Sequence, residues 1–218
     1  GTDQTGERLP LTFKMGAGRP AGYVYGSIPF VALFGPTEWG VRSLSLISGL
    51  GIIILMYFLG KKLLSDSVGL WASFLTSASL WDIYLSRAGF EAHFALFLAL
   101  FSIVLFLYKK YIPMAFALGL AIFTYPTFKL TIPLLLLTLI IYRGIKKTLF
   151  EKGFIVSLLI LLIFAGFNFR ETLKGTSEER FLRLNILADS NVRQEMIQKI
   201  NEQRNLSTLP EKIKPFVY

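Results

Sequence analysis

Residues 39–60 have the sequence WGVRSLSLISGLGIIILMYFLG, in which Arg42, near the start, is the one charged residue. A helix rises about 1.5 Å per residue, and the hydrocarbon core of a bilayer is about 30 Å thick. This stretch is therefore long enough, and apolar enough, to predict a helix that spans the membrane.

Five further apolar stretches follow, at residues 67–84, 91–108, 112–125, 130–142 and 153–168. The chain is 53% hydrophobic and 17% charged, which is typical of a membrane protein. We predict an all-α fold, a polytopic transmembrane helical bundle with about six membrane segments. Residues 112–142 include Pro113, Pro126 and Pro133, so they are compatible with two short helices, a re-entrant pair or one broken span.

The distribution of basic residues favours a chain that crosses at 112–142 and returns. One side of the membrane then receives Lys61, Lys62, Lys109, Lys110, Arg143, Lys146, Lys147 and Lys152, and the other receives Arg42, Arg87 and Lys129. The positive-inside rule makes the lysine-rich side cytoplasmic. The predicted organisation is a first extracytoplasmic loop with an interfacial helix (1–37), a transmembrane region (38–168) and an extracytoplasmic segment (169–218), which contains an amphipathic helix from about residue 189.

Composition and motifs exclude several functional classes. The net charge of +9 lies mostly between the apolar stretches, where it sets topology, so we predict no nucleic-acid partner. The chain has no cysteine, which excludes disulfides and thiolate chemistry. It has no glycine-rich phosphate loop, no paired-histidine metal motif and no nucleophile elbow, so we predict no cofactor and no metal.

The candidate site centres on residues 86–92, SRAGFEA, where Arg87 and Glu91 stand between two apolar stretches. Ionised groups beside a bilayer core are costly and usually functional. Arg19, Arg42 and Lys129 are predicted on the same face, and converging cations suit the phosphate of a lipid-linked ligand. A carboxylate among them, Glu91, would act as a base or orient an arginine.

Simpler interpretations of these residues remain open. Arg42 and Lys129 could serve as anchors at helix ends, and Arg87 with Glu91 could form an ion pair that only holds a helical turn. Asp82 is interpreted as a buried partner of Arg87. His93, the single histidine, is interpreted as a hydrogen-bonded packing residue.

Several motifs, in their order along the chain, resemble the GT-C glycosyltransferases. Residues 1–10 (Gly-x-Asp-x-x-Gly-x-x-x-Pro), Arg19-Pro20 and 38–45 (EWGVRSLS) are similar to the first outer loop and following helix of that superfamily. Residues 86–91 and 125–129 (YPTFK) resemble its Arg-x-x-x-acidic and Tyr-x-x-x-basic turns. The branch resembled contains the dolichyl-phosphate-mannose protein mannosyltransferases and the lipid A aminoarabinose transferases.

The resemblance implies a membrane enzyme that transfers a sugar from a polyprenyl phosphate to a protein hydroxyl or a lipid glycan. It implies that Arg19 helps to bind the donor phosphate, that Arg42 and Arg87 support the same pocket, and that Glu91 is the second acidic position. In the favoured mechanism, Lys129 is a further candidate phosphate partner. The family's main catalytic acidic pair lies upstream of the Gly-x-Asp segment, so we expect this chain to be a fragment of the enzyme that is inactive alone.

The predicted setting is the plasma membrane of a bacterium or an archaeon, with the reaction on its outer face. Two alternatives to the transferase remain at this point. One is a fragment of a transporter or channel, in which the broken helices of 112–142 would form a binding site near the midplane. The other is a non-catalytic membrane subunit.

Overall fold

A computed structural model describes residues 8–13, 19–145, 151–173, 194 and 197–199. A short antiparallel pair of strands, β1 (Thr12–Phe13) and β2 (Arg19–Pro20), precedes the helices of the bundle. These are α1 (Gly22–Phe34), α2 (Glu38–Leu63), α3 (Asp66–Ser77), α4 (Leu80–Ala88), α5 (Glu91–Leu107), α6 (Tyr111–Ile122), α7 (Phe128–Ile145) and α8 (Lys152–Leu173).

The long helices confirm the predicted all-α membrane bundle. In the described ranges, α2, α7 and α8 are long and apolar enough to cross a membrane, and α4 with α5 forms a fourth candidate that is bent by 119°. The shorter apolar helices α1 and α6 pack beside them. The protein is therefore an integral membrane protein with several spans.

One predicted span is wrong in detail, because residues 67–84 form two helices rather than one. The break falls at Ala78 and Ser79, after α3. The hydroxyls of Thr76 and Ser77 donate to the carbonyls of Ala72 and Phe74 (2.7 Å each), and such local bonds compete with the helical ladder. Ser79 then adopts an extended conformation, and α4 starts at the next residue, Leu80.

Residues 112–142 form a hairpin of two helices, the arrangement that the charge distribution favoured over a single broken helix. Helices α6 and α7 are separated by a turn at 123–127, and α7 is longer than predicted because it runs from Phe128 to Ile145. Arg143, near the end of α7, donates a hydrogen bond to the Tyr111 hydroxyl at the start of α6. The two helices are therefore antiparallel.

The buried core lies between α5, α6, α7 and α8. Its fully enclosed side chains include Met114, Leu118, Ile132 and Phe154. On the other side of α5, helix α2 packs against α1, α3, α4 and α5. Helix α2 therefore holds the shorter helices in place.

The basic residues separate to opposite ends of the bundle. At the lysine-rich end, defined by Lys61, Lys62, Lys109, Lys110 and Arg143, the Lys62 ammonium lies over the Tyr108 ring at 5.0 Å. The other end, here called the arginine end, carries Arg19, Arg42, Arg87 and Lys129. The helix predicted from about residue 189 lies outside the described residues, apart from helical positions at 194 and 197–199.

Candidate functional site

The N-terminal segment is fixed onto the arginine end by backbone and tyrosine hydrogen bonds. The amide of Gly22 donates to the Phe123 carbonyl at 2.7 Å, which joins α1 to the end of α6. The Tyr23 hydroxyl donates to the Val41 carbonyl at 3.0 Å, which joins α1 to the first turns of α2. Residues predicted as a loop thus include an ordered strand pair, and Arg19 is held against the bundle.

The turn between α4 and α5 places Arg87 and Glu91 on either side of a sharp bend. Gly89 has φ 70° and ψ 40°, the left-handed conformation that glycine adopts without a Cβ penalty. Arg87 lies in the last turn of α4 and Glu91 in the first turn of α5, where each charge complements its helix dipole. The turn therefore presents one cation and one carboxylate at the arginine end.

Arg42 and Arg87 line the same groove, which has a volume of about 320 Å³. Its remaining lining residues are Glu38, Trp39, Ser43, Leu46 and Ser86. Arg42 donates to the Glu38 carboxylate one turn earlier, at 3.0 Å. The groove thus combines two guanidinium groups with an exposed apolar border, an arrangement suited to a phosphate that carries a lipid chain.

Glu91 pairs with Arg19 and not with Arg87. The Arg19 Nε lies 3.4 Å from Glu91 Oε2, and the two side chains are 57% and 13% exposed. The interpretation of Arg87 and Glu91 as an ion pair within one helical turn is therefore wrong. It assumed a continuous helix, and Gly89 ends the helix between them, so the i,i+4 geometry does not exist.

Lys129 lies at the same end but outside the groove. It is half-buried in the first turn of α7, where its amide donates to the Pro126 carbonyl at 3.1 Å. The groove lining does not include it. The structure thus brings Arg42 together with Arg87 in one groove, and Arg19 together with Glu91 in an ion pair, and Lys129 is not part of the groove lining.

A buried polar cluster lies between α2, α4 and α5. His93 Nε2 is 2.9 Å from Asp82 Oδ1, and the Ser45 hydroxyl lies 3.4 Å from His93 Nδ1. His93 is buried and hydrogen-bonded, as predicted. The interpretation of Asp82 as the partner of Arg87 is wrong, because its carboxylate faces His93 instead.

A second cluster, at the lysine-rich end, was not anticipated from the sequence. Arg143 is buried, with its side chain 4% exposed, and pairs with Glu151 at 3.1 Å. Its guanidinium lies over the rings of Tyr111 (4.7 Å) and Phe154 (4.4 Å). Hydrogen bonds from Tyr111 and Arg143 lower the pKa of Glu151. In sequence, Arg143 only looked like one member of a basic flank.

No group of three His, Asp or Glu side chains that could hold a metal ion occurs in the described part of the chain. The described side chains at this end include cations, hydroxyls and the carboxylates of Glu38 and Glu91.

Comparison with known proteins gave one family match. A family model described as dolichyl-phosphate-mannose-protein mannosyltransferase matches residues 22–168, more than half of the chain. The matched range contains Arg42, Arg87, Glu91 and Lys129, while Arg19 lies before it. No curated protein and no solved structure matches the chain.

Proposed function

Since the chain belongs to the dolichyl-phosphate-mannose-protein mannosyltransferase family, we propose that it takes part in transfer of a sugar from a polyprenyl-phosphate donor to a protein or lipid-glycan acceptor. Glycosyl transfer by a membrane enzyme of the GT-C type is the activity of the family. The family match favours this activity over the transporter and non-catalytic alternatives. The donor, the acceptor and the residues that serve them are our proposal.

The observation that carries the proposal is the groove shared by Arg42 and Arg87. A phosphodiester between the two guanidinium groups would receive charge-assisted hydrogen bonds. The isoprenoid chain would extend from the groove into the bilayer along Trp39 and Leu46, which are 72% and 44% exposed and would contact lipid. Polar and apolar parts of the groove thus fit the two parts of a lipid-linked donor.

In the proposed reaction, the acceptor hydroxyl oxygen forms a bond to the anomeric carbon of the sugar. The bond between that carbon and the phosphate oxygen breaks, and polyprenyl phosphate leaves with the electron pair. Arg42 and Arg87 stabilise the negative charge that develops on the leaving phosphate. The hydroxyl proton passes to a carboxylate. We assign to Glu91 the role of accepting this proton or orienting the acceptor, since the other carboxylate of the groove, Glu38, is paired with Arg42.

Arg19 and Lys129 have supporting roles in this proposal. Arg19 holds Glu91 by its ion pair and adds positive charge beside the groove. Lys129 adds a further cation at the same end, near the path of an approaching phosphate. The concentration of lysines at the opposite end supports an orientation in a bacterial or archaeal plasma membrane with the groove outside.

The direct test measures transfer of mannose from a polyprenyl-phosphate-mannose donor to a serine- and threonine-containing peptide by the full-length protein. Arg87→Ala should lower kcat/KM on the order of a hundredfold, the typical cost of removing a donor that stabilises a developing charge. Arg87→Lys should recover part of that loss, since it keeps the charge and loses the fork. Glu91→Gln should lower kcat by a similar or larger factor.

The matched control is Arg170→Ala, which removes an exposed arginine from the last turn of α8. It should leave the rate unchanged. Wild-type rates in both Arg87→Ala and Arg42→Ala would remove the groove from the reaction. A wild-type protein that fails with every polyprenyl-phosphate sugar would refute the proposed donor class.

A further inference from the structure

Helix α4 is short, and both of its buried side chains are polar. Asp82 and Ser86 are each 8% exposed, while large apolar residues of the same helix, such as Leu80 and Trp81, are exposed. Apolar packing therefore contributes little to fixing the rotation of α4 about its axis. That rotation decides where Arg87 points, because Arg87 lies on the same nine-residue helix.

Polar bonds fix α4 to its neighbours instead. The Asp82 carboxylate accepts from His93 Nε2 at 2.9 Å, across the 119° bend between α4 and α5. The Ser45 hydroxyl, on α2, donates to the Leu85 carbonyl at 2.9 Å and also lies beside the His93 ring. One junction of three side chains thus connects α2, α4 and α5.

The backbone of α2 comes close to the junction at Gly49. A Cβ at this position would lie 3.1 Å from His93 Cε1 and would overlap the Ser86 hydroxyl. The close approach keeps water and lipid away from the pair, since His93 is 1% exposed. A buried pair of this kind adds little net stability, but loss of one partner leaves the other without compensation. Both helices must therefore keep the relative position that allows Asp82 and His93 to stay bonded.

Each member of the pair lies near a site residue on its own helix. Asp82 precedes Arg87 by five residues, and His93 follows Glu91 by two. We propose that the buried Asp82–His93 bond is a clamp across the α4–α5 bend that positions Arg87 and Glu91 for the transfer reaction. Asp82 and His93 are positioning residues, and this role rests on the proposed function of the groove.

The bend can be measured independently of activity with labels on introduced cysteines. These 218 residues contain no cysteine that would compete for the label, and any cysteine elsewhere in the full-length protein is first replaced by serine. Ile83 on α4 and Leu96 on α5 are exposed. Nitroxide labels on Ile83→Cys and Leu96→Cys in the full-length protein report the angle between the two helices by pulsed electron spin resonance. The clamp predicts one narrow distance distribution in the parent protein and a broadened or shifted one in Asp82→Ala.

The same Asp82→Ala change in the unlabelled protein should lower kcat/KM of the folded enzyme by about ten- to a hundredfold, since small misplacements of catalytic groups have effects of this size. Asp82→Asn keeps an acceptor for His93 and should retain the narrow distribution, with activity within about threefold of wild type. The matched control is Asp66→Ala. Asp66 pairs with Lys61 at the lysine-rich end, and the distance of 2.9 Å equals that between Asp82 and His93. The substitution should change neither the distance between the labels nor the rate.

Two results would overturn the clamp. One is an unchanged distance distribution in Asp82→Ala. The other is that Asp82→Ala lowers the yield of folded protein, while the protein that does fold has the kcat/KM of wild type. A purely structural role for Asp82 predicts this second result. If the wild-type protein shows no transfer, the proposed function fails, while the distance measurement still decides whether the pair sets the bend.

Discussion

The substitution Arg143→Lys tests the packing at the lysine-rich end. The Arg143 guanidinium donates to two acceptors at once, the Tyr111 hydroxyl and the Glu151 carboxylate, and lies over two aromatic rings. A lysine keeps the charge, but its compact ammonium cannot reproduce the planar fork or stack on both rings. We therefore expect a loss of stability although the net charge is unchanged.

The size of the loss follows from the contacts. Loss of one hydrogen bond to a charged group costs about 1.5–3 kcal/mol, and weaker stacking costs about 0.5–1 kcal/mol. Since such contributions overlap, Arg143→Lys should lower the free energy of unfolding by about 2–3 kcal/mol. This corresponds to a change of roughly thirtyfold or more in the unfolding equilibrium.

The measurement is the free energy of unfolding in mixed micelles of dodecyl maltoside and SDS, followed by pulse proteolysis. Arg170→Lys, at an exposed arginine, is the matched control and should stay within about 0.5 kcal/mol of wild type. Tyr111→Phe should cost less in the Arg143→Lys background than in the wild type, because the two side chains share a hydrogen bond. Equal stabilities of the two lysine variants, or strictly additive costs, would refute the reasoning.

Two further predictions concern pH and the bend. Hydrogen bonds from Tyr111 and Arg143 lower the pKa of Glu151 in the folded protein. The ionised Glu151 carboxylate therefore stabilises the folded protein fully above the pKa that it has in the unfolded chain. This stabilisation is lost as the pH falls through the pKa that Glu151 has in the folded protein. Glu151→Gln should flatten this acid-side decline in unfolding curves recorded at a series of pH values, and an unchanged decline would contradict it. Gly89→Val should lower the free energy of unfolding by about 1–2 kcal/mol, because the φ of 70° at this position disfavours a β-branched side chain. Gly89→Asn should lower it less, and thermal unfolding compares the two variants. Equal losses would show that the left-handed conformation is not the cause.

The helices and their ends were largely predictable from the sequence, since the length of an apolar stretch depends only on neighbouring residues. Residues 39–60, 91–108 and 153–168 correspond closely to α2, α5 and α8. The stretch 67–84 was misjudged because average hydropathy does not detect hydroxyl groups that bond to the backbone. Those bonds divide the stretch into two helices.

The location of the candidate residues at one end of the bundle was predictable from the sequence, and their pairing was not. A count of basic residues placed Arg42 and Arg87 on one face, and the structure brings them to one groove. The alternative of an ion pair between Arg87 and Glu91 assumed i,i+4 spacing on one helix, and this spacing does not apply because the helix ends at Gly89. Helix-based spacing rules hold only while the helix continues.

The sequence by itself determined that this is a helical membrane protein with a lysine-rich end and an arginine end, because burial in lipid depends on runs of neighbouring residues. It also carried the family's motifs. Only the tertiary structure decided that Arg19 pairs with Glu91, that Asp82 pairs with His93, and that Arg143 is buried. Such pairs join residues from different segments of the chain. The way in which these segments meet is set by helix packing and by the turns between helices, which no local pattern specifies.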